Sequence, residues 1–418
     1  MPKVRKIRDV VYGFIFLDEQ ECEIIDHPVF QRLRRIKQLS LTDMVYPGAT
    51  HTRFEHSLGV MQMASDMYDS MVSNPSPVVK EILSSLSLDD NGIKRYRKII
   101  RLAALLHDVG HAPFSHSGED LMPLLPSGHI RYASNEDKRY KHEDYSIAII
   151  KNIFKDTIQE HPLNSNHNIT VEEVTALLDD TTVKRKRAGI LWKELISGQL
   201  DADRADYLLR DSIHLGVSYG MYDKNSLVNC MTLAPHPELP NVPVIAVKEG
   251  CWYIAESLVI ARYQMFTQVY FHKVRRIYDH HISMACKEIL RKKGCYPPPN
   301  KLDDYLKYDD WYIQSHIASK KAGVFGDIIL NRTHYKCEYE TQIKPTEDDE
   351  NKLVELAKLH TEENFYLDEA KTLWYKLDKE HHIWICEKDY VIPLSEKSQI
   401  VKSMTETPHQ KRFYVARK

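Results

Sequence analysis

The chain has 418 residues, 43% of them hydrophobic and 28% charged, which suits a folded protein and is too apolar for a disordered one. At roughly 100–200 residues per domain, this length allows two or three domains, or one large helical domain with an appendage. Lys and Arg total 57 against 59 Asp and Glu, a net charge of −2, so a chain-wide polycation is excluded and any nucleic-acid contact would be a local patch.

Most of the first 290 residues read as helix. From Phe54 to Met71 apolar residues recur at helical spacing (Phe54, Leu58, Met61, and beside them Val60, Met63, Met67, Met71). Residues 97–108, RKIIRLAALLHD, are apolar nearly all round after the first turn and predict a buried helix. Further helices are expected over 142–156, as two short pieces within 171–197, and over 201–214. Pro235, Pro237, Pro240 and Pro243 then exclude helix and suggest a loop leading into a short strand. From about Cys251 to Lys292 a long proline-free run predicts one long helix, closed by Gly294 and Pro297–Pro299. The remainder, 300–418, differs: an acidic amphipathic helix (348–364), two strand-like runs (HHIWICEK, DYVIPL) and a basic end. The expected fold is therefore mainly α, a helical bundle over 1–295 with a smaller C-terminal α+β lobe over 300–418.

No run of about 18 apolar residues offers a membrane span, and the start, MPKVRKIRDVVYG, lacks the apolar core of a signal peptide. The seven cysteines (22, 230, 251, 286, 295, 337, 386) contain no CxxC pair and read as free thiols in a reducing cytoplasm, with no disulfide and no cysteine zinc site.

The unusual figure is 21 histidines, histidine being the commonest transition-metal ligand and the usual proton shuttle. Three separated fragments bring His56 (HTRFEHSLGV), His107 and Asp108 (LLHDVGHAPFSH) and Asp203 (LDADRADYLLRD) onto predicted helices or their ends. Two imidazoles and two carboxylates suit a divalent ion such as Mn, Fe, Co, Ni, Zn or Mg, and leave positions open for water and a substrate oxygen. Gly110 and Pro113 turn the chain after the buried helix and would leave His111 and His116 near the pocket mouth, with Glu119 beyond them and His142 opening another helix. So many titratable groups near one site exceed what a structural core tolerates.

These segments resemble the HD-domain phosphohydrolases, and the match extends beyond the metal motif. DHPVFQRLRRIKQLSLTDMVYPGATHTRFEHSLGV, LLHDVGHAPFSH, YKHED and DADRADYLLRDSIHLG are similar to the deoxynucleoside triphosphate triphosphohydrolase branch, which includes a vertebrate enzyme carrying a SAM domain and bacterial relatives. The resemblance is dense over 5–220, returns at ARYQMFTQVYFHK (261–273) and fades beyond. It implies that His56, His107, Asp108 and Asp203 bind the metal, with Asp201 a competitor for the last place. It also implies that His116 is the proton donor, that Glu119 holds its other ring nitrogen, and that His111 and His142 contact phosphate or assist proton transfer. Arg53 and Arg262 would meet phosphate, and Tyr207 and Asp211 would form a pocket wall. Gln38 would reach the 3′-hydroxyl, while Leu39 and Tyr270 would crowd the 2′ position. Phe266 stands where the family often has a histidine. Asp26, Gln31 and Arg34 match residues that hold a guanine nucleotide effector between subunits. The implied activity is metal-dependent hydrolysis of deoxynucleoside triphosphates to deoxynucleoside and triphosphate by a homo-oligomer, a dimer or tetramer, responsive to GTP or deoxynucleotides. The alternatives are an HD-type nuclease or phosphodiesterase, and a nucleotide-responsive binding protein without catalysis.

Overall fold

The two most strongly apolar segments become two central helices, Arg53–Ser73 and Asp90–Leu106, packed against each other. The Asp89 side chain starts the second by accepting a hydrogen bond from the Gly92 amide, and the run Leu102–Leu106 is fully buried. Each such leucine contributes about 1.5–3 kcal/mol by leaving water. This computed structural model describes residues 4–417, except 74, 87, 130, 132–137, 180–186, 239–242, 372–381, 389 and 405–408; at 187–190 and 371 it describes backbone alone. The expected helices over 142–156 and 201–214 are found as His142–Asn152, with a short Lys155–Gln159 helix after it, and Ala202–Leu215. Those within 171–197 are Val171–Ala176 and Arg187–Ser197.

The protein is mainly α, a helical bundle with a smaller C-terminal α+β lobe. In that lobe, Lys336–Glu340, His409–Val415 and Phe365–Lys371 form an antiparallel sheet in that order. A second sheet joins the two parts of the chain. Met231–Pro235 and Pro243–Lys248 pair antiparallel, and Trp384–Cys386 runs parallel to the latter and antiparallel to Val391–Pro393. The two strand-like runs are thus strands, although His381 and Asp389, which open them, lie outside the described residues. Among the described residues no helix is long and apolar enough to cross a membrane.

Three features differ from the sequence reading. The N-terminus is an antiparallel hairpin, Arg5–Asp9 with Gly13–Leu17, turned through Gly13 at φ +73°. The long helix from Cys251 is broken. Trp252–Met265 passes through a π-helical turn, Phe266–Tyr270, and the chain leaves the helix at His272 before Lys273–Ile289 begins. No proline or glycine marks this break. The Tyr270 hydroxyl is anchored on Asp211 (2.6 Å), and the His272 Nδ1 caps the second helix by accepting from the Val274 amide. Finally, Cys230 and Cys251 form a disulfide, because the Met231–Val247 register folds the chain back and brings their Cα atoms to 5.9 Å. The other five cysteines are free, as expected.

The Glu19–Asp26 helix is tied to the bundle by a buried ion pair. The Glu21 carboxylate accepts from Arg101 Nε (2.6 Å) and Nη2 (2.9 Å). Burial raises the Glu21 pKa, but Arg101 and Lys98 outweigh it and hold the value at about 2, below its ordinary 4.5. The stabilisation is therefore fully present above pH 4.5 and is lost as pH falls from there toward 2. Glu21→Gln should cost on the order of 3 kcal/mol at neutral pH and flatten the acid limb of stability, read from urea midpoints against pH.

Candidate active site

The site is assembled where helix ends converge. His56 lies in the first turn of the Arg53–Ser73 helix, which Glu55 opens by accepting from the Thr52 amide (3.2 Å). His107 is the C-terminal cap of Asp90–Leu106 and carries Asp108 beyond it. Asp203 lies in the first turn of Ala202–Leu215. The competitor Asp201 is used otherwise: it caps that helix by accepting from the Arg204 amide (2.7 Å) and pairs with the Arg204 side chain. Burial raises its pKa to about 7, against the pull of Arg204.

Two buried imidazoles present the same atom to this centre. Asp206 accepts from His56 Nδ1 (2.8 Å), and the Ala104 carbonyl accepts from His107 Nδ1 (2.7 Å). Both acceptors fix the ring proton on Nδ1 and leave Nε2 inward. The His56 Nε2 lies 2.9 Å from Asp203 Oδ1, and the His107 Nε2 lies 3.3 Å from Asp108 Oδ1 and 3.9 Å from Asp203 Oδ1. Both Nε2 atoms are buried without a well-formed hydrogen bond. Burial lowers the His56 pKa, but Asp203 and Asp206 override it and raise the value to about 10, so the ring holds a proton wherever no cation takes its place. Inward imidazole nitrogens facing carboxylates fit a divalent ion of the borderline class. His56, His107 and Asp203 bring ligand atoms within 4.8 Å of one another. Asp108 stands slightly apart, its Oδ2 drawn into an ion pair with Arg53.

Asp108 also faces the second group. Its Oδ1 is 3.6 Å from His111 Nε2 and 3.9 Å from His142 Nε2. His111 and His142 stack with ring centroids 3.8 Å apart. Glu119 binds His142 Nδ1 at 2.5 Å and His116 Nδ1 at 3.0 Å. The His116 ring is mostly exposed, while His111 is fully buried. Burial, then Arg53 and His142, pushes the His111 pKa well down and keeps that ring neutral. His142 is raised to about 9, burial opposing and Glu143 and Glu119 dominating.

His107, Asp108 and Asp203 of the first group and His111, His116 and His142 of the second line one cleft of about 240 Å³, shared with Gln38, Arg53, Arg204 and Tyr207 and with apolar Leu177, Leu178 and Ile196. The buried Arg53 guanidinium donates to Ser115 Oγ (2.7 Å) as well as pairing with Asp108. The Gln38 side-chain carbonyl is buried without a hydrogen bond. Leu39, Asp211, Arg262 and Tyr270 do not line this cleft. Tyr270 meets the Tyr207 ring edge-on at 6.2 Å, and Asp211 is held between the Tyr270 hydroxyl and His51 Nε2 (2.7 Å). Arg262 lies beside Tyr207 and over the Phe266 ring at 5.5 Å. The would-be effector residues lie at the surface. Arg5 grips Asp26 with both guanidinium nitrogens (2.7 and 2.6 Å), and Gln31 accepts from Arg34 Nε (2.9 Å).

The sequence reading missed several members. Asp206 sits three residues after Asp203, on the same helix face, a spacing that could have revealed it. Asp310 left no such signal. Its two oxygens accept from the Lys37 amide (2.8 Å) and the Phe114 amide (2.7 Å), clamping the segments that lead to Gln38 and to His116. Phe114 and Ser115 both adopt φ +57°, a conformation that needs such support. Gly110 is demanded by contact: a Cβ there would lie 2.3 Å from the Ser146 amide nitrogen.

Comparison with known proteins gives a family model for the HD domain over residues 53–211 and one for an HD-associated region over 223–413. An uncharacterized protein of Methanocaldococcus jannaschii is 32% identical over 96% of this chain and 76% of its own length. A Dictyostelium discoideum protein named as a homolog of deoxynucleoside triphosphate triphosphohydrolase SAMHD1 is 29% identical over 68% of this chain. The chain spans about half the length of that relative (49%) and of an uncharacterized Bacillus subtilis relative (52%, at 34% identity). Among solved structures, a hypothetical protein from Aquifex aeolicus superposes with TM-score 0.76 at 27% identity, covering 99% of this chain and 97% of the other.

Proposed function

Because the chain belongs to the HD-domain phosphohydrolase family, we propose that it hydrolyses deoxynucleoside triphosphates to deoxynucleoside and inorganic triphosphate with a divalent ion. The observation that carries this reading is the grouping of the inward His56 and His107 Nε2 atoms around Asp203, beside a cleft that His107 and Asp203 line together with a second histidine group. His56, His107, Asp108 and Asp203 would hold the ion. When bound, it lowers the pKa of a water molecule and polarises an oxygen of the α-phosphate.

The chain's own groups supply the rest. Water attacks the α-phosphorus and the bond to O5′ breaks, so O5′ must gain a proton. His116 can give it from the mouth of the cleft, with Glu119 fixing its Nδ1. His142, held protonated by Glu143 and Glu119, can stabilise phosphate charge, while His111, neutral, can orient a phosphate oxygen. Arg53 stands ready to clamp phosphate once substrate competes with Asp108 for it. Arg204, Arg262 and Tyr207 would contact the triphosphate, and Gln38 the 3′-hydroxyl.

Leu39 and Tyr270 would exclude a 2′-hydroxyl, with Asp211 holding the Tyr270 ring in place. ATP should then be a much poorer substrate than dATP, and Leu39→Ala should narrow the gap by about 10–200-fold in kcat/KM, the range that small steric changes in a pocket support. Competition between the two nucleotides measures it; equal rates in the parent protein would contradict it.

We also propose that residues 1–295 act as the catalytic core with 300–418 as a lobe that braces it, Asp310 being the clearest brace. A guanine nucleotide at Asp26, Gln31 and Arg34 would stabilise a homo-oligomer, which light scattering with and without GTP tests. The activity itself is tested by incubating the protein with each of the four deoxynucleotides, in Mg and in Mn, and separating the products. Shortened nucleic acid from a polymer substrate, with deoxynucleotides untouched, would favour a phosphodiesterase instead.

A further inference from the structure

We propose that Asp9, Arg210 and Asp206 form a buried charge relay that positions His56 for the divalent ion and couples ion binding to the N-terminal hairpin. This rests on the reading of His56 as a metal ligand. The chain of contacts is continuous. Asp206 Oδ2 accepts from His56 Nδ1 at 2.8 Å. Arg210 grips Asp206 through Nε (2.8 Å) and Nη2 (3.0 Å), and its Nη1 donates to Asp9 Oδ2 at 2.8 Å. Asp9 ends the first strand of the hairpin, and its Oδ1 accepts from the Val11 and Tyr12 amides (2.8 and 3.0 Å), so the same carboxylate shapes the hairpin turn. The side chains of His56, Asp206 and Arg210 are at most 1% exposed, and that of Asp9 is 4% exposed.

Two further observations show that the relay is built in. Gly59, three residues after His56, lies against it: a Cβ there would sit 2.0 Å from Asp206 Oδ1 and 2.3 Å from Arg210 Nη2. Tyr12, from the hairpin turn, buries its hydroxyl beside Asp206. The charges also fit a cation. Two carboxylates against one guanidinium leave a surplus negative charge behind His56, which a positive charge at Nε2 balances, either a bound cation or the second proton the ring holds without one. An ion held there draws on Asp206, which draws on Arg210 and then on Asp9. Undocking the hairpin would leave Arg210 short of a partner and loosen the ring.

The test uses the full chain and Mn²⁺ alone, with no nucleotide, titrated in competition with a chromophoric chelator. Asp206→Asn should weaken Mn²⁺ binding by about 10–100-fold, the usual effect of losing a partner behind a metal ligand. Asp9→Asn keeps an oxygen for the turn amides but loses the charge on Arg210, and should weaken binding by about 10-fold. Hydrogen exchange over residues 5–17 should slow when Mn²⁺ binds the parent protein, and should slow less in Asp9→Asn. If both variants bind Mn²⁺ as the parent does and merely melt at lower temperature, the residues are structural and the relay is refuted. If the parent itself binds no divalent ion, the metal-site reading fails instead. A wrong choice of substrate would move neither measurement.

Discussion

Asp203→Asn is expected to give a folded protein that has lost its divalent ion, with turnover down by about 10³-fold or more. Asp203 faces the cleft with more than a third of its side chain exposed, so removing its charge leaves no buried gap. What it does remove is the anionic oxygen that lies near both inward imidazole nitrogens, at 2.9 Å from His56 and 3.9 Å from His107. A bound ion supplies several kcal/mol of transition-state stabilisation, and each 1.4 kcal/mol is a factor of ten in rate. Elemental analysis and a melting curve are the measurements. Full metal content in the variant would show that Asp203 is not a ligand.

His116→Ala is expected to do the opposite: to keep metal, fold and KM while lowering kcat by about 10²–10⁴-fold, the contribution of a positioned acid. The ring is largely solvent-exposed, so its truncation forfeits little packing. Its contact with Glu119 predicts that Glu119→Gln lowers kcat as well, but also disturbs His142, which shares the same carboxylate at 2.5 Å. The two variants should therefore differ: His116→Ala in kcat alone, Glu119→Gln in kcat and KM together. A His116→Ala enzyme with full turnover would move the proton donor to His142 or to solvent.

The helices that carry His56 and Asp203 could be read from the sequence because apolar residues recur at helical spacing, and the one that carries His107 because it is apolar nearly all round; the candidate site residues sit at their ends. The hairpin could not. Its strands are five residues long, and the first, RKIRD, is charged at four positions, which gives no alternating pattern to compete with the helical signal around it. The break after Tyr270 goes with a tertiary contact, Tyr270 to Asp211, and a local one, Arg275 to the Tyr270 carbonyl (2.5 Å), and no helix-breaking residue announces it. The Cys230–Cys251 bond depends on a strand pairing that the proline-rich loop concealed. Asp310 and Arg210 reach residues 196 and 201 positions away, distances at which no local periodicity survives. The candidate site residues could thus be read from local segments, while Asp310, Asp9 and Arg210, which reach them or their partners from distant segments, could not.

The central claim is water attack at the α-phosphorus of a deoxynucleoside triphosphate with O5′ as the leaving group. It is tested most directly by running the reaction in ¹⁸O-labelled water with a divalent ion and analysing both products by mass spectrometry. The account predicts intact triphosphate carrying one ¹⁸O and an unlabelled deoxynucleoside. Deoxynucleoside monophosphate with pyrophosphate, or label in the 5′-hydroxyl of the deoxynucleoside, would contradict it.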